Sequence, residues 1–545
     1  PRSPFVGRDE EMAELTAAIV AIGKGASGVV ATIEATPGSG KSRMVLELRN
    51  EAEEHDVHTL AARSAPFGHG SPFAPWGDMI DRAAGLAGLA PGAARHKVRA
   101  WLEETAPDTG TDARWFDELA NVADTSDPEI QRRRESPAQF RQNLRETVVT
   151  WLWAYTKRRP IVFFAEDLHW WPAPSLELLA NAAQVARKSP MLLVATRRPV
   201  PLAIEWPPET TDRVLSLGSL DEGALQALAH GVLGAEVPKG LVQRLVTSSG
   251  GNPFFAEELV QAFIDTGALR TSPERSGWIW DEAKAEHANL PTTVEGVTQA
   301  RIDALPARER HVLQMAAGAG RTFWQGLIEA MGETEASDAL RQLSARDLVH
   351  GRRSRLAGEI EFAFKHATIQ TVAYENHLKR ERVADHRRVA EWLEARAAAD
   401  PEFAPTISEH FLRAEEKAKA LPYLLRSAEE QVRAHARLDQ ATDVELAAQL
   451  AEQLLDEPAR ARSLLLRGRL RRIAGHSDAE KDLREALAAA DGIDDRPVAA
   501  EAAVNLAGLL YQQGDLKGAA EQAERALKAT SAAQAATLSR SARSS

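Results

Sequence analysis

The chain of 545 residues contains no cysteine. That excludes disulfides and thiolate-bound metal centres, and it fits a cytoplasmic protein. Nor does it contain an uninterrupted apolar run near the ~20 residues that a membrane-spanning helix needs. The opening residues, PRSPFVGR, lack the apolar core of a signal peptide. An excess of basic charge is missing as well. The net charge is -12, which argues against a protein built mainly to coat nucleic acid, although a local basic patch is compatible with that total. What is present is a globular composition, 44% hydrophobic and 26% charged, in a chain too long for one ordinary domain. The start on Pro1 and the polar tail SRSARSS suggest a piece of a longer polypeptide, with an output domain expected outside it.

Apolar β-type runs alternate with helical stretches over residues 1–205, as an open parallel α/β sheet requires. The strands expected are Gly28–Ala35, His58–Ser64, Ile161–Asp167 and Met191–Arg197. Residues 206–290 turn helical, with a short hairpin around SGWIW. Residues 291–390 combine helices with two β-like runs, LVHGRR and EIEFAFKH, a pattern that suits a winged helix. Residues 391–545 are Ala/Leu/Glu/Arg-rich and helical. There Asn505–Leu527 matches a tetratricopeptide-type repeat, with looser copies at Leu464–Leu487 and Ser408–Gln431. Each such unit leaves one apolar face bare and must stack on its neighbours.

Two stretches carry the chemistry. After the first strand, Ala35-Thr-Pro-Gly-Ser-Gly40-Lys41-Ser42 has the spacing of a phosphate-binding loop, with Ala in place of the first glycine. Backbone N–H groups from Gly38 to Ser42 converge on phosphate oxygens at a helix N-terminus, and Pro37 and Gly38 shape the turn. Ser39 and Arg43 fall within the same cradle. Lys41 neutralises the outer phosphates, and the Ser42 hydroxyl ligates Mg²⁺. About 125 residues beyond Lys41, IVFFAED sets Glu166 and Asp167 at a strand end. We read Glu166 as the metal carboxylate and Asp167 as the group that orients the attacking water, though adjacent acids can exchange these roles. Thr196 and Arg197 end a further strand, where Arg197 can sense the terminal phosphate.

Together with PFVGRDEEMAEL, APFGHGSPFAPW, EDLHW, GGNPFFAEEL and FAFKHATIQTVAYE, these segments resemble the STAND class of signal-transduction P-loop ATPases. The likeness is to the bacterial branch fused to Ser/Thr kinases, nucleotide cyclases or LuxR-type regulators. The resemblance implies a P-loop domain (1–205), a helical lid (206–290), a winged helix (291–390) and a sensor of TPR-like repeats (391–545). It places Val6 and Arg8 at the adenine end, Pro253 against the adenine, and His366 on the β-phosphate of ADP. It implies ATP or ADP with Mg²⁺ as cofactors, a protein or peptide ligand on the repeats, and self-association in the ATP state. The chain departs from it in having Ala35 for glycine and His169-Trp170-Trp171-Pro172 for HWAD, which puts hydrolysis rate in doubt more than binding. Two other readings stand beside this one. One is a DNA-loading ATPase that uses Arg352, Arg353 and Arg355, and the other is an adaptor whose bound nucleotide is structural.

Overall fold

The computed structural model describes residues 4–63, 73–86, 89, 91–107, 109–110, 112–120, 122–124, 137–202, 211–271, 277–287, 293–352, 354, 356, 358–397, 403–433 and 442–528. Five strands form one sheet: β1 Val30–Glu34, β2 His58–Arg63, β3 Ile161–Glu166, β4 Met191–Arg197 and β5 Arg213–Ser216. Their order is β2-β3-β4-β1-β5 and every pairing is parallel. Central strands of a parallel sheet are covered on both faces, so they read as continuous apolar runs. Ile161–Glu166 is buried at every position.

One face packs Ile33, Val162 and Phe164 against Leu15, Met44 and Leu48 of the helices Asp9–Gly23 and Lys41–Glu54. The other packs Phe163 beneath Trp76, Trp151 and Trp171. The helices Ala74–Ala84, Pro91–Thr105, Arg114–Leu119 and Pro137–Arg158 all lie between β2 and β3 and supply much of that second layer. The edge strand β5 pairs with β1, so the sheet continues past the expected boundary at residue 205.

Three helices follow, Glu222–Leu233, Lys239–Ser249 and Pro253–Asp265, sharing one core with the hairpin of β6 Leu269–Thr271 and β7 Trp278–Trp280. The next unit runs from helix Val294–Asp303 through helix Ala307–Ala319, β8 Thr322–Trp324, helices Gln325–Ala330 and Ala336–Ala345, and the hairpin of β9 Val349–Arg352 and β10 Glu361–Phe364. Its three strands are antiparallel in the order β8-β10-β9. The two β-like runs of the sequence form β9 and β10; β8 was not expected. From Lys379 onward the described chain is helical, in neighbouring pairs that pack in sequence order. Helix Arg496–Gln513 turns at Gly514 into a last helix over 516–528. Among the described residues, no helix is long and apolar enough to cross a membrane.

Candidate functional site

The loop after β1, the acids after β3 and the basic residues after β4 all gather at the carboxyl edge of the sheet, where open α/β sheets place their ligands. The acid strand β3 lies two positions from β1, with β4 between them. Two strand spacings of ~4.8 Å separate the loop from the acids, which is room for phosphates and a water.

Gly38 and Gly40 take φ values of 80° and 95°. In that left-handed region a side chain is strained, and Gly40 caps helix Lys41–Glu54 from this conformation. The turn therefore aims backbone N–H groups at the helix N-terminus, where an anion is favoured. Ser39 Oγ lies 2.8 Å from Thr36 Oγ1. The Lys41 amine donates to the carbonyls of Ala35 and Thr36 at 2.6 and 2.9 Å. Burial holds its pKa below the usual lysine value, an effect opposed by the charge of Asp167. Ser42 is exposed at the mouth of the loop. Arg43 reaches along its own helix to Glu47, with Nη2 at 2.6 Å from the carboxylate.

The two acids are placed differently. Glu166 is buried, and its carboxylate accepts from Arg63 Nε at 2.7 Å, Arg63 being its register partner on β2. Asp167 has left the strand with φ 57°, and its backbone N–H donates to Thr196 Oγ1 at 2.9 Å. A left-handed non-glycine residue costs on the order of 1 kcal/mol, and the Thr196 bond helps hold it. Asp167 is the carboxylate whose charge acts on Lys41, on His169 and on Arg321. Arg197 forms an ion pair with Glu34 across the β4–β1 pairing at 2.6 Å. The next residue, Arg198, acts on Lys41 and His169 and lies over the Trp170 ring at 5.9 Å. His169 is pushed down to about 4, chiefly by burial. Neither of its ring nitrogens has a hydrogen-bond partner among the described residues.

The three-helix unit after the sheet, expected as a lid, reaches into the loop. Asn252 caps helix Pro253–Asp265, with Pro253 at its first position. The Asn252 amide also donates to the Pro37 carbonyl at 3.1 Å, and the Phe254 N–H donates to the Gly38 carbonyl at 3.3 Å. Val6 packs on the lid core, and Arg8 hydrogen-bonds to the Gly218 carbonyl. The Leu220 N–H donates to Gly251 at 2.8 Å. The expected adenine-end residues Val6, Arg8 and Pro253 are thus all on or against the lid. From the three-stranded unit, the His366 ring meets the Phe254 ring at 4.0 Å. Burial, then Lys365, pushes His366 down to about 3, so it is neutral at physiological pH. A buried ion pair between Arg301 and Glu258 ties the same unit to the lid helix.

Sequence reading missed Arg63, Arg198, Asn252 and Phe254. Arg63 was signalled only by register with Glu166, and the others only by tertiary placement. The donor set fits a nucleotide: turned-out loop amides, a buried lysine and an uncommitted arginine. Among the described residues, no three His, Asp or Glu side chains gather to hold a metal by themselves. Mg²⁺ would therefore rest on Ser42, one of the acids, phosphate oxygens and water, which is its common mode of binding.

This fold and site define a P-loop ATPase domain, followed by a largely helical C-terminal region. Residues 4–194 match the family described as the AAA ATPase domain. A relative from Rhizobium meliloti, an uncharacterized protein, is 26% identical over 423 residues, covering 73% of this chain. The chain spans 39% of that relative's length. Among solved structures, one similar chain is a Signal Transduction ATPase with Numerous Domains protein with a tetratricopeptide repeat sensor from Pyrococcus horikoshii. It is 11% identical with a TM-score of 0.39, and the match covers 98% of this chain and 78% of that one. Another is the ORC1 protein of Aeropyrum pernix, in complex with DNA. It is 15% identical with a TM-score of 0.33, covering 69% and 94% of the two chains.

Proposed function

We propose that the protein is a nucleotide-dependent signal-transduction switch of the STAND type. The observation that carries this reading is the convergence of three units on one loop. Asn252 and Phe254 of the lid bond the carbonyls of Pro37 and Gly38, and the ring of His366 from the next unit packs at a tilt on Phe254. A loop gripped in this way couples its ligand to the placement of everything that follows it, which is what a switch needs and simple turnover does not.

The amides from Gly38 to Ser42 and the Lys41 amine hold the phosphates, with Lys41 exchanging its loop carbonyls for phosphate oxygens. Val6, Arg8 and Pro253 enclose the adenine end. His366, held neutral, serves as a hydrogen-bond partner for the β-phosphate rather than as an ion-pair partner. Bound Mg²⁺ supplies neutralisation of phosphate charge. Because Glu166 is engaged by Arg63 while the charge of Asp167 acts on Lys41, we assign Asp167 to the metal and phosphate side. Arg63 holds Glu166 in position to orient water, which reverses the roles expected from the sequence. Arg198 shares with Arg197 the task of sensing the terminal phosphate.

In this scheme 1–216 is the P-loop domain, the three-stranded unit is a winged helix, and the C-terminal helices are TPR-like repeats that receive a protein or peptide. Their occupation favours an open form that exchanges ADP for ATP and self-associates to drive an effector. Slow hydrolysis resets the switch. The DNA-loading reading is less well supported, because Arg352, the one described arginine of the three it would use, and other arginines of the winged helix are internally paired. Arg352 pairs with Glu361, Arg346 with Glu309 and Arg308 with Glu333. Arg353 and Arg355 lie outside the described residues. The experiment is nucleotide retention: purified protein should release ADP on denaturation, and Lys41→Ala should lose it. A Lys41→Ala protein that retains and exchanges nucleotide like its parent refutes the proposal.

A further inference from the structure

Arg321 joins helix Ala307–Ala319 to β8, and its carbonyl accepts the Phe364 N–H at 3.1 Å. Two residues beyond Phe364 is His366, whose ring meets Phe254, and Phe254 in turn donates to Gly38 of the phosphate loop. The base of Arg321 is therefore anchored to the strand end that touches the lid over the loop. Its side chain is half-buried, and its charge interacts with those of Asp167, Arg63 and Arg198 at the carboxyl edge of the ATPase sheet. The backbone of Arg321 thus belongs to one unit of the chain while its charge acts on groups of another.

Its neighbours in the same unit have found partners. Arg301 pairs with Glu258, Arg308 with Glu333, Arg341 with Asp338, Arg346 with Glu309 and Arg352 with Glu361. Among the described residues, no hydrogen bond or ion pair takes the Arg321 guanidinium, and burial works against its charge. An arginine does not escape that cost by losing its proton. The local charge makes the imbalance clear. With Arg63 satisfied by Glu166, Lys41 and Arg321 both feel the carboxylate of Asp167, and the charge of Arg198 works against both. Cations drawn to one anion repel one another, and a polyanion placed among them relieves both the repulsion and the desolvation.

We propose that Arg321 is a phosphate-binding residue: it contacts the β-phosphate of the ADP held on the Gly38–Ser42 loop. The three-stranded unit then reads that phosphate through a charged fork as well as through His366, and departure of ADP frees the unit from the ATPase domain. This rests on the nucleotide-switch reading above.

The test uses the full chain and ADP as probe, with affinity measured by calorimetry across a salt series. A lost charge-assisted contact should weaken ADP binding roughly 10- to 100-fold in Arg321→Gln. Arg321→Lys should recover part of that loss, and the salt dependence of Arg321→Gln should be shallower than the parent's. Binding within about twofold of the parent overturns the proposal, as does an Arg321→Lys no better than Arg321→Gln with the parent's salt slope. Arg321→Met, which keeps the apolar stem, guards against a packing defect. Failure of both Arg321→Gln and Arg321→Met to fold also overturns it, since a side chain that waits for a ligand holds no core together. Lys41→Ala separates the two readings. If it loses ADP while Arg321→Gln does not, only the present inference fails; if it binds like the parent, the loop assignment falls and takes this inference with it.

Discussion

Removing Arg301 should loosen the grip of the three-stranded unit on the lid by far more than an ordinary surface pair is worth. Its guanidinium bonds Glu258 with side-chain exposures of only 9% and 7%, and it also donates to the Arg346 carbonyl at 3.1 Å. The discount that applies to solvent-screened pairs is therefore small. Arg301→Ala strands a carboxylate in the lid core, and one oxygen of Glu258 already has no partner among the described residues. Breaking one side of a buried pair costs about 3–5 kcal/mol. Replacing both sides, as in Glu258→Leu with Arg301→Met, should return most of that, because neither charge is then left buried.

The pH dependence has a definite sign. Burial raises the pKa of Glu258, and Arg301 opposes the rise, so in Arg301→Ala the folded value sits still higher than the unfolded one. A raised carboxyl contributes stability below its unfolded pKa and loses it as pH climbs through the folded pKa. The deficit of Arg301→Ala should thus be larger near pH ~8 than near pH ~5. The assay is urea unfolding, with hydrogen exchange read on helix Pro253–Asp265. A change within about 0.5 kcal/mol, typical of an exposed pair, would refute the argument.

Two further outcomes follow from packing and titration. Gly7 has φ 64°, and a Cβ there would lie 2.6 Å from Ala224 Cβ and 2.9 Å from Leu220. Gly7→Ala should therefore cost about 1–3 kcal/mol in chemical denaturation, with Ala224→Gly restoring part of it. His386 and His410 are buried with their Nδ1 atoms 2.8 Å apart, and burial pushes them down to about 4 and about 3. A depressed histidine contributes stability above its unfolded pKa of 6.5 and loses it as pH falls toward the folded value. Stability should decline below that pH by up to about 1.4 kcal/mol per unit for each histidine. His386→Gln with His410→Gln should flatten the slope.

The phosphate loop could be read from sequence because its function depends on eight contiguous residues between a buried strand and a helix. Glu166 and Asp167 were legible for the same reason, but the difference in their settings was not. It depends on Arg63, about a hundred residues away, facing Glu166 across the β2–β3 register. The strand β5 escaped notice because it is four residues at a sheet edge with only Leu215 buried, so no apolar run marks it. Three-residue β8 escaped for want of length. Arg197 was the obvious basic residue after β4, yet strand alternation sends it to Glu34, and Arg198, one step on, acts on Lys41. Spacing along a chain locates a loop; it does not name the partners that tertiary packing brings to it.

The helices beyond Lys417 are joined by more than their apolar faces. Arg462 bonds Glu429 on helix Lys417–Arg433 at 3.0 Å and Glu501 on helix Arg496–Gln513 at 2.9 Å. Arg467 and Arg471 both hold the buried Asp482 and reach back to Glu445. Stacked helical units that touch only their neighbours bend and peel one at a time. Here single side chains bind a unit to the one before and the one after it, so strain applied to one hairpin is shared along the stack. Such cross-links tie each hairpin to those on either side, so opening one hairpin breaks ion pairs with its neighbours as well as its own apolar contacts.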